Sequence, residues 1–144
     1  PNDIYVLVSD GELMEGTTWE YILTISSLKL KNVILFVDSN GLQSSTWNKD
    51  THPTLEPITN KFRSFGWETD LCNGHSFKSI LSVFKKRKKN APYALVCKTI
   101  KGYPISFMKN KPIWHYRSPN VEEYKYSLKN LEKFYLKRLK LYEK

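Results

Sequence analysis

Asp10, Glu12 and Glu15 lie within "VSDGELMEG", residues 8 to 16, directly after a run of β-branched and aliphatic residues. Asn40 follows a second such run, thirty positions after Asp10. Carboxylates are poor core material, and at a strand's exit they make sense where something cationic or proton-bearing sits. The Asp10 carboxylate, the Asn40 amide oxygen and neighbouring loop carbonyls are hard oxygen donors. With diphosphate oxygens and water they complete the six-coordinate shell that Mg²⁺ demands. Gly11 permits close backbone approach, and the helix that follows offers its N-terminus to an anion. An ordinary strand-to-helix turn with a capping Asp reads the same residues without any ligand, and spacing alone leaves both readings open.

The elements that must position these residues alternate. "DIYVLVSD" and "NVILFVD" carry apolar residues without alternation, the pattern of strands buried on both faces. Between them, "GTTWEYILTISSLKL" sets Trp19, Ile22, Leu23, Ile25 and Leu28 near helical spacing. After a polar loop, "TLEPITNKFRSFG" predicts a helix with Thr54 as N-cap and Gly66 as its stop. "WETDLC" predicts a short strand, "SFKSILSVFKKRKK" a helix capped by Ser76, and "PYALVCKT" a third buried strand over residues 93 to 99. Strand and helix in turn predict an α/β fold, a parallel sheet flanked by helices. Ligands bind such sheets beyond the carboxyl ends of strands. Asp10, Asp38 and the long loop 99–119 all leave from such ends.

The last segment, "NVEE" onward, predicts a helix in which Asn120 and Glu123 form a capping box. Its apolar stripe is Val121, Tyr124, Leu128, Leu131, Tyr135 and Tyr142, with Lys129, Lys133, Lys137 and Lys140 mainly off it. The reading divides the chain into a ligand-binding portion, residues 1–119, and a basic amphipathic helix, residues 120–144. With 144 residues there is room for one α/β domain with a real core, and the opening Pro1 and immediate strand read as a fragment or processed chain. No stretch is long and apolar enough for a membrane span, and the opening residues do not read as a signal peptide. Cys72 and Cys97 read as buried free thiols, which places the protein in the cytoplasm. Charge is uneven: residues 1–84 hold 6 Lys or Arg against 10 Asp or Glu, and residues 85–144 hold 17 against 4. That asymmetry suits anionic ligands, nucleic acid or solvated helix faces.

The text "SDGELMEGTTWE … NVILFVDSNGLQ" resembles the thiamin diphosphate signature, a Gly-Asp-Gly followed about thirty residues later by Asn, in the wording of transketolases. "LEPITNKFRSFGW", "NGH" and "KTIKGYPISFMKNKPIWH" resemble further transketolase segments in the right order. Other enzymes with the Asp–Asn signature would not be expected to share Glu15, Trp19 and "ISFM". The resemblance implies the thiamin diphosphate-binding fold, incomplete at its N-terminus, with thiamin diphosphate and Mg²⁺ as cofactors. It implies that Asp10 and Asn40 bind Mg²⁺ through side-chain oxygens and Leu42 through its carbonyl. Gly11 and Glu12 would lie against the diphosphate through the backbone. His115 matches a histidine near diphosphate and sugar, Lys101 a cation for either. Glu15 and Glu20 match acidic residues linking paired active sites at a subunit interface.

The implied activity is transfer of a two-carbon ketol unit from a ketose to an aldose, with sugar phosphates as substrates. The implied partners are a pyrimidine-binding domain or C-terminal subunit, in a homodimer or heterotetramer. Ser9 departs from the pattern, standing where the family has its first Gly. Two rival readings are a catalytically silent homologue serving as interaction partner, and a nucleic-acid-binding module built on "KKRKK", residues 85–89, which lacks any base-reading motif. His75 reads as a turn histidine, His52 lies in the loop after the cation-binding segment where the resemblance is poor, and no Cys or His spacing suggests zinc.

Overall fold

A computed structural model describes residues 2–142. It resolves two compact units, one reaching Thr99 and one starting at Ile100. The first is a parallel sheet of four strands in the order β1 (Ile4–Ser9), β2 (Val33–Ser39), β6 (Tyr93–Lys98), β5 (Glu68–Asn73). Helix α1 (Gly16–Ser27) connects β1 to β2, and α4 (Phe77–Phe84) connects β5 to β6. Between β2 and β5 run a small antiparallel pair, β3 (Leu42–Gln43) and β4 (Thr46–Trp47), then α2 (Asn48–Thr51) and α3 (Ile58–Ser64).

The two-residue strand period divides the core. Val33, Leu35 and Val37 of β2 join Ala94 and Val96 of β6 on one face, packed with Ile22 of α1 and Phe62 of α3. Ile34 joins Tyr93, Leu95 and Cys97 on the other, under Ile80 and Phe84 of α4. Both central strands are therefore apolar on both faces, as their uninterrupted runs predict. Cys72 and Cys97 sit opposite each other in the β5–β6 register with Sγ atoms 3.6 Å apart, buried and unbridged. Burial pushes the Cys97 thiol up to about 12.

Two readings require correction. β1 is not buried on both faces: among the described residues it is an edge strand paired only with β2, and Ile4, Tyr5, Val6 and Leu7 are exposed. The expected helix forms as α1, with Ile22 buried, while Leu23 and, just past the helix end, Leu28 are exposed. Thr54 does not cap α3: it lies in a 3₁₀ turn, Pro53–Leu55, and the Glu56 carboxylate instead accepts the Ile58 N–H at 3.1 Å. Ser76 does cap α4, its Oγ accepting the Ser79 N–H, and Gly66 follows α3 with φ +83°. Of the basic run 85–89, Arg87 turns inward, its side chain 6% exposed and 2.5 Å from Asp3.

In the second unit, Gly102 at φ +80° lies so close to the Met108 backbone that a Cβ would meet it at 2.5 Å. A 3₁₀ turn, Pro112–His115, precedes α5 (Val121–Tyr142). The capping box forms: Glu123 N–H donates to Asn120 Oδ1, and Asn120 N–H to Glu123 Oε2, each at 2.9 Å. Val121, Tyr124, Leu128, Leu131 and Tyr135 are exposed along α5. The Tyr142 side chain lies outside the described residues.

Candidate functional site

β1 and β2 run in parallel with Ser9 opposite Asp38, so the residues just beyond them meet on one rim. The Asp10 N–H donates to the Asp38 carbonyl at 3.0 Å, extending the ladder one residue past the strand. Thr99, just after β6, adds its own contacts: its N–H donates to the Ser39 carbonyl, and its hydroxyl to Asp38 Oδ1. Three strand ends are thereby tied together within the first unit.

Asp10 is 1% exposed. Its Oδ2 accepts the Gly41 N–H at 2.6 Å, while Oδ1 is buried with no hydrogen-bond partner among the described residues. Burial raises the Asp10 pKa; the Gly41 N–H and the side-chain amide of Asn48 oppose that rise, and the Asp38 charge adds to it. A carboxylate buried with an unfilled acceptor is costly unless a cation or donor satisfies it. Asn40 is held in a local turn, its Oδ1 accepting the Leu42 N–H at 2.9 Å with lone-pair capacity left over. Leu42 is buried at the start of β3. The rim thus presents hard oxygens of the kind Mg²⁺ prefers, and the orphaned Asp10 Oδ1 fits such an ion.

Gly11 is tightly placed, since a Cβ there would meet Gln43 Cβ at 3.2 Å. Ser9, the departure from the family's glycine, forms a local box with Glu12. The Glu12 carboxylate accepts the Ser9 N–H at 2.7 Å and its hydroxyl at 3.0 Å, and Ser9 Oγ accepts the Glu12 N–H at 3.2 Å. The Glu12 N–H is engaged by Ser9 rather than left facing outward. A 3₁₀ turn, Glu12–Met14, follows, and α1 begins only at Gly16. Glu15 and Glu20 are exposed, and Tyr21 beside Glu20 is 68% exposed.

In the second unit Lys101 Nζ lies 3.3 Å from His115 Nδ1. An ammonium group can only donate, so Nδ1 accepts and the ring proton sits on Nε2, leaving that nitrogen a donor. The structure therefore brings together Lys101 and His115, fourteen residues apart in sequence. Sequence reasoning missed Gly41, whose N–H holds Asp10, and Asn48, whose own N–H donates to the Gly41 carbonyl at 2.9 Å. An Asn in a polar loop carries no signal in one dimension. His52 lines a pocket of about 270 Å³ with Gly41, Trp47 and Asn48.

The chain matches the family model described as transketolase, thiamine diphosphate binding domain, over residues 1–131. It is 37% identical over 130 residues to one of the subunits of the apulose-4-phosphate transketolase of Actinobacillus succinogenes, covering 90% of this chain and 47% of that protein. It is 34% identical over 135 residues to a 6-deoxy-6-sulfo-D-fructose transketolase subunit of a Clostridium species, covering 92% of this chain and 49% of that one. Human transketolase is 33% identical over 112 residues, 78% of this chain and 18% of the human protein. A transketolase crystal structure from Campylobacter jejuni superposes with a TM-score of 0.70 at 26% identity, over 76% of this chain and 17% of that one. The chain spans about half the length of the subunit-type relatives it matches.

Proposed function

We propose, from the premise that this chain belongs to the transketolase thiamine diphosphate-binding family, that it is the cation- and diphosphate-holding portion of a ketol-transferring enzyme. The observation that carries the reading is the buried Asp10 carboxylate, one oxygen fixed by Gly41 and the other unsatisfied, on a rim shared with Asn40. Asp10 and Asn40 would hold Mg²⁺ through their side chains and Leu42 through its carbonyl. Gly11 and Glu12 would supply backbone to the diphosphate, although the Glu12 N–H must first leave Ser9 Oγ to donate there. When bound, thiamin diphosphate supplies the electron sink that lets a two-carbon unit leave a ketose and join an aldose.

The chain's own contribution is binding and orientation. His115, with Nδ1 capped by Lys101, would donate from Nε2 to a diphosphate or sugar oxygen. Lys101 would add positive charge to the same ligand. Glu15 and Glu20 would face a neighbouring protomer; their exposure beside Tyr21 supports that role. Relatives that are themselves single subunits of transketolases support a partner chain carrying the pyrimidine-binding portion, in a homodimer or heterotetramer. The substrates would be a ketose donor and an aldose acceptor, as sugar phosphates.

Titrating Mg²⁺ and thiamin diphosphate into the complete assembly tests this. Saturable binding abolished by EDTA is expected, with a loss of at least about tenfold in cation affinity for Asp10→Ala. Unchanged binding in that variant would remove the metal assignment.

A further inference from the structure

We propose that α5 pairs, antiparallel, with α5 of a second copy of this chain, through the apolar stripe that its own unit leaves uncovered. Val121, Tyr124, Leu128, Leu131, Tyr135 and Leu139 recur at intervals of three and four along the helix, and each is 40% exposed or more. That spacing sets them on one face, as a seam about 27 Å long. A different face holds α5 to its own unit. Ser127 is buried there, Phe134 packs edge-on against Tyr103 with ring centroids 5.3 Å apart, and Tyr126 lies 5.8 Å from Phe107. A continuous apolar stripe on the outside of a helix marks a surface that another apolar face covers.

The order of the residues says which face that is. From one end the stripe runs Val121, Tyr124, Leu128, and from the other Leu139, Tyr135, Leu131. Turned end for end against a copy of itself, Leu128 comes opposite Leu131, Tyr124 opposite Tyr135 and Val121 opposite Leu139. Aliphatic residues thus meet aliphatic ones, and aromatic rings meet aromatic rings. Such self-complementarity is what a two-fold, isologous contact requires.

Charge selects the same arrangement. Lys125 and Glu132 flank the stripe on one side, both are exposed, and neither forms an ion pair among the described residues. In the antiparallel pair, Lys125 of each copy lies beside Glu132 of the other, so two opposite-charge contacts form across the seam. In a parallel pair the two would stay seven residues, about 10 Å, apart along the axis and would not meet. An anionic lipid surface fits worse, because Glu132 would be set against it where a lipid-bound helix carries Lys or Arg. The seam lies in the second unit and Glu15 and Glu20 in the first, so this pairing is a contact additional to theirs.

The test uses the full chain carrying Tyr124→Cys in one preparation and Tyr135→Cys in another, mixed at equal concentration under mild oxidation. Cys72 and Cys97 are buried, and the parent chain treated alike gives the background. A disulfide forms only between Cα atoms within about 7 Å. In the antiparallel pair, two copies of either cysteine alone would lie about 16 Å apart along the axis. The mixture should therefore give at least about ten times more linked dimer than either preparation alone. Lys125→Glu or Glu132→Lys, added to both preparations, turns two attractions into repulsions and should cut the yield about tenfold; both reversals together should restore it. Should loss of a tyrosine weaken the seam, Val121→Cys mixed with Leu139→Cys repeats the measurement with the four central residues in place. No excess of linked dimer in either mixture would overturn the proposal. Equal linkage in the separate preparations would make the contact parallel or random and overturn it as well, as would reversals that leave the yield unchanged. If instead Glu132→Lys raises and Lys125→Glu lowers retention of the chain by phosphatidylserine vesicles, with linkage unaffected, the stripe serves a lipid surface and the proposal fails.

Discussion

β1 and β6 are composed alike and end up in opposite surroundings. "IYVLVS" and "YALVCK" are both apolar runs without alternation. Yet Leu7 of β1 is 73% exposed and Leu95 of β6 is 0% exposed. β6 pairs with a strand on either side and is covered on both faces, whereas β1 pairs only with β2. An apolar run therefore records that a strand is suited to burial, and the order of strands decides whether it is buried within these residues. An edge that is both apolar and unpaired is a surface suited to further cover.

The widest separation between the two strands is expected in truncations. Leu95→Ala should cost about 2–5 kcal/mol in urea denaturation, through lost burial and a residual cavity. Leu7→Ala should cost less than about 0.5 kcal/mol. Equal costs would break the comparison. Thiol chemistry sharpens it on the β6 side. With its pKa pushed up to about 12, Cys97 should alkylate with iodoacetamide at pH 8 roughly a thousandfold more slowly in the folded chain than in urea. Rapid labelling of the folded chain would mean that β6 is less enclosed than its side-chain burial shows.

The smallest effect lies where β6 emerges. Lys98 Nζ is 2.5 Å from Glu56 Oε1 and donates to Ser39 Oγ at 3.0 Å. Burial raises the Glu56 pKa, but the Lys98 hydrogen bond and charge with the Ile58 N–H outweigh it, so the net shift is downward. A depressed carboxylate pKa adds stability above its ordinary value near 4.5 and loses it as the pH falls through the lowered value. Glu56 and Lys98 are each about half exposed, so the contribution is within about 1 kcal/mol. The melting gap between the parent and Glu56→Gln should be present at pH 7 and close as the pH falls from the ordinary carboxylate value through the lowered one. A gap that widened on acidification would reverse the assignment.

Legibility followed the range of the interactions involved. Local devices could be read directly: the Ser76 cap, the Gly66 stop and the Asn120–Glu123 box each depend on residues within a few positions of one another. The parallel sheet was also legible, because strand–helix–strand order leaves few packings, and so was the meeting of Asp10 with the segment carrying Asn40. Thr54 misled because a Thr before a helix signals a cap only when no turn intervenes, and Pro53–Leu55 forms one. The hold of Gly41 on Asp10 was invisible because the two are 31 positions apart and the donor is a backbone N–H.

Residue types and spacings by themselves determined the α/β class, the family and the meeting of the segments carrying Asp10 and Asn40 at one sheet edge, since each is written in periodicity or motif. Tertiary structure alone decided that β1 is an edge, that Arg87 leaves the basic surface for Asp3, that Lys101 caps His115, and that Asp10 is buried with one oxygen unfilled. The reason is physical. Burial and hydrogen-bond satisfaction depend on what the rest of the chain brings alongside, and no local pattern encodes that.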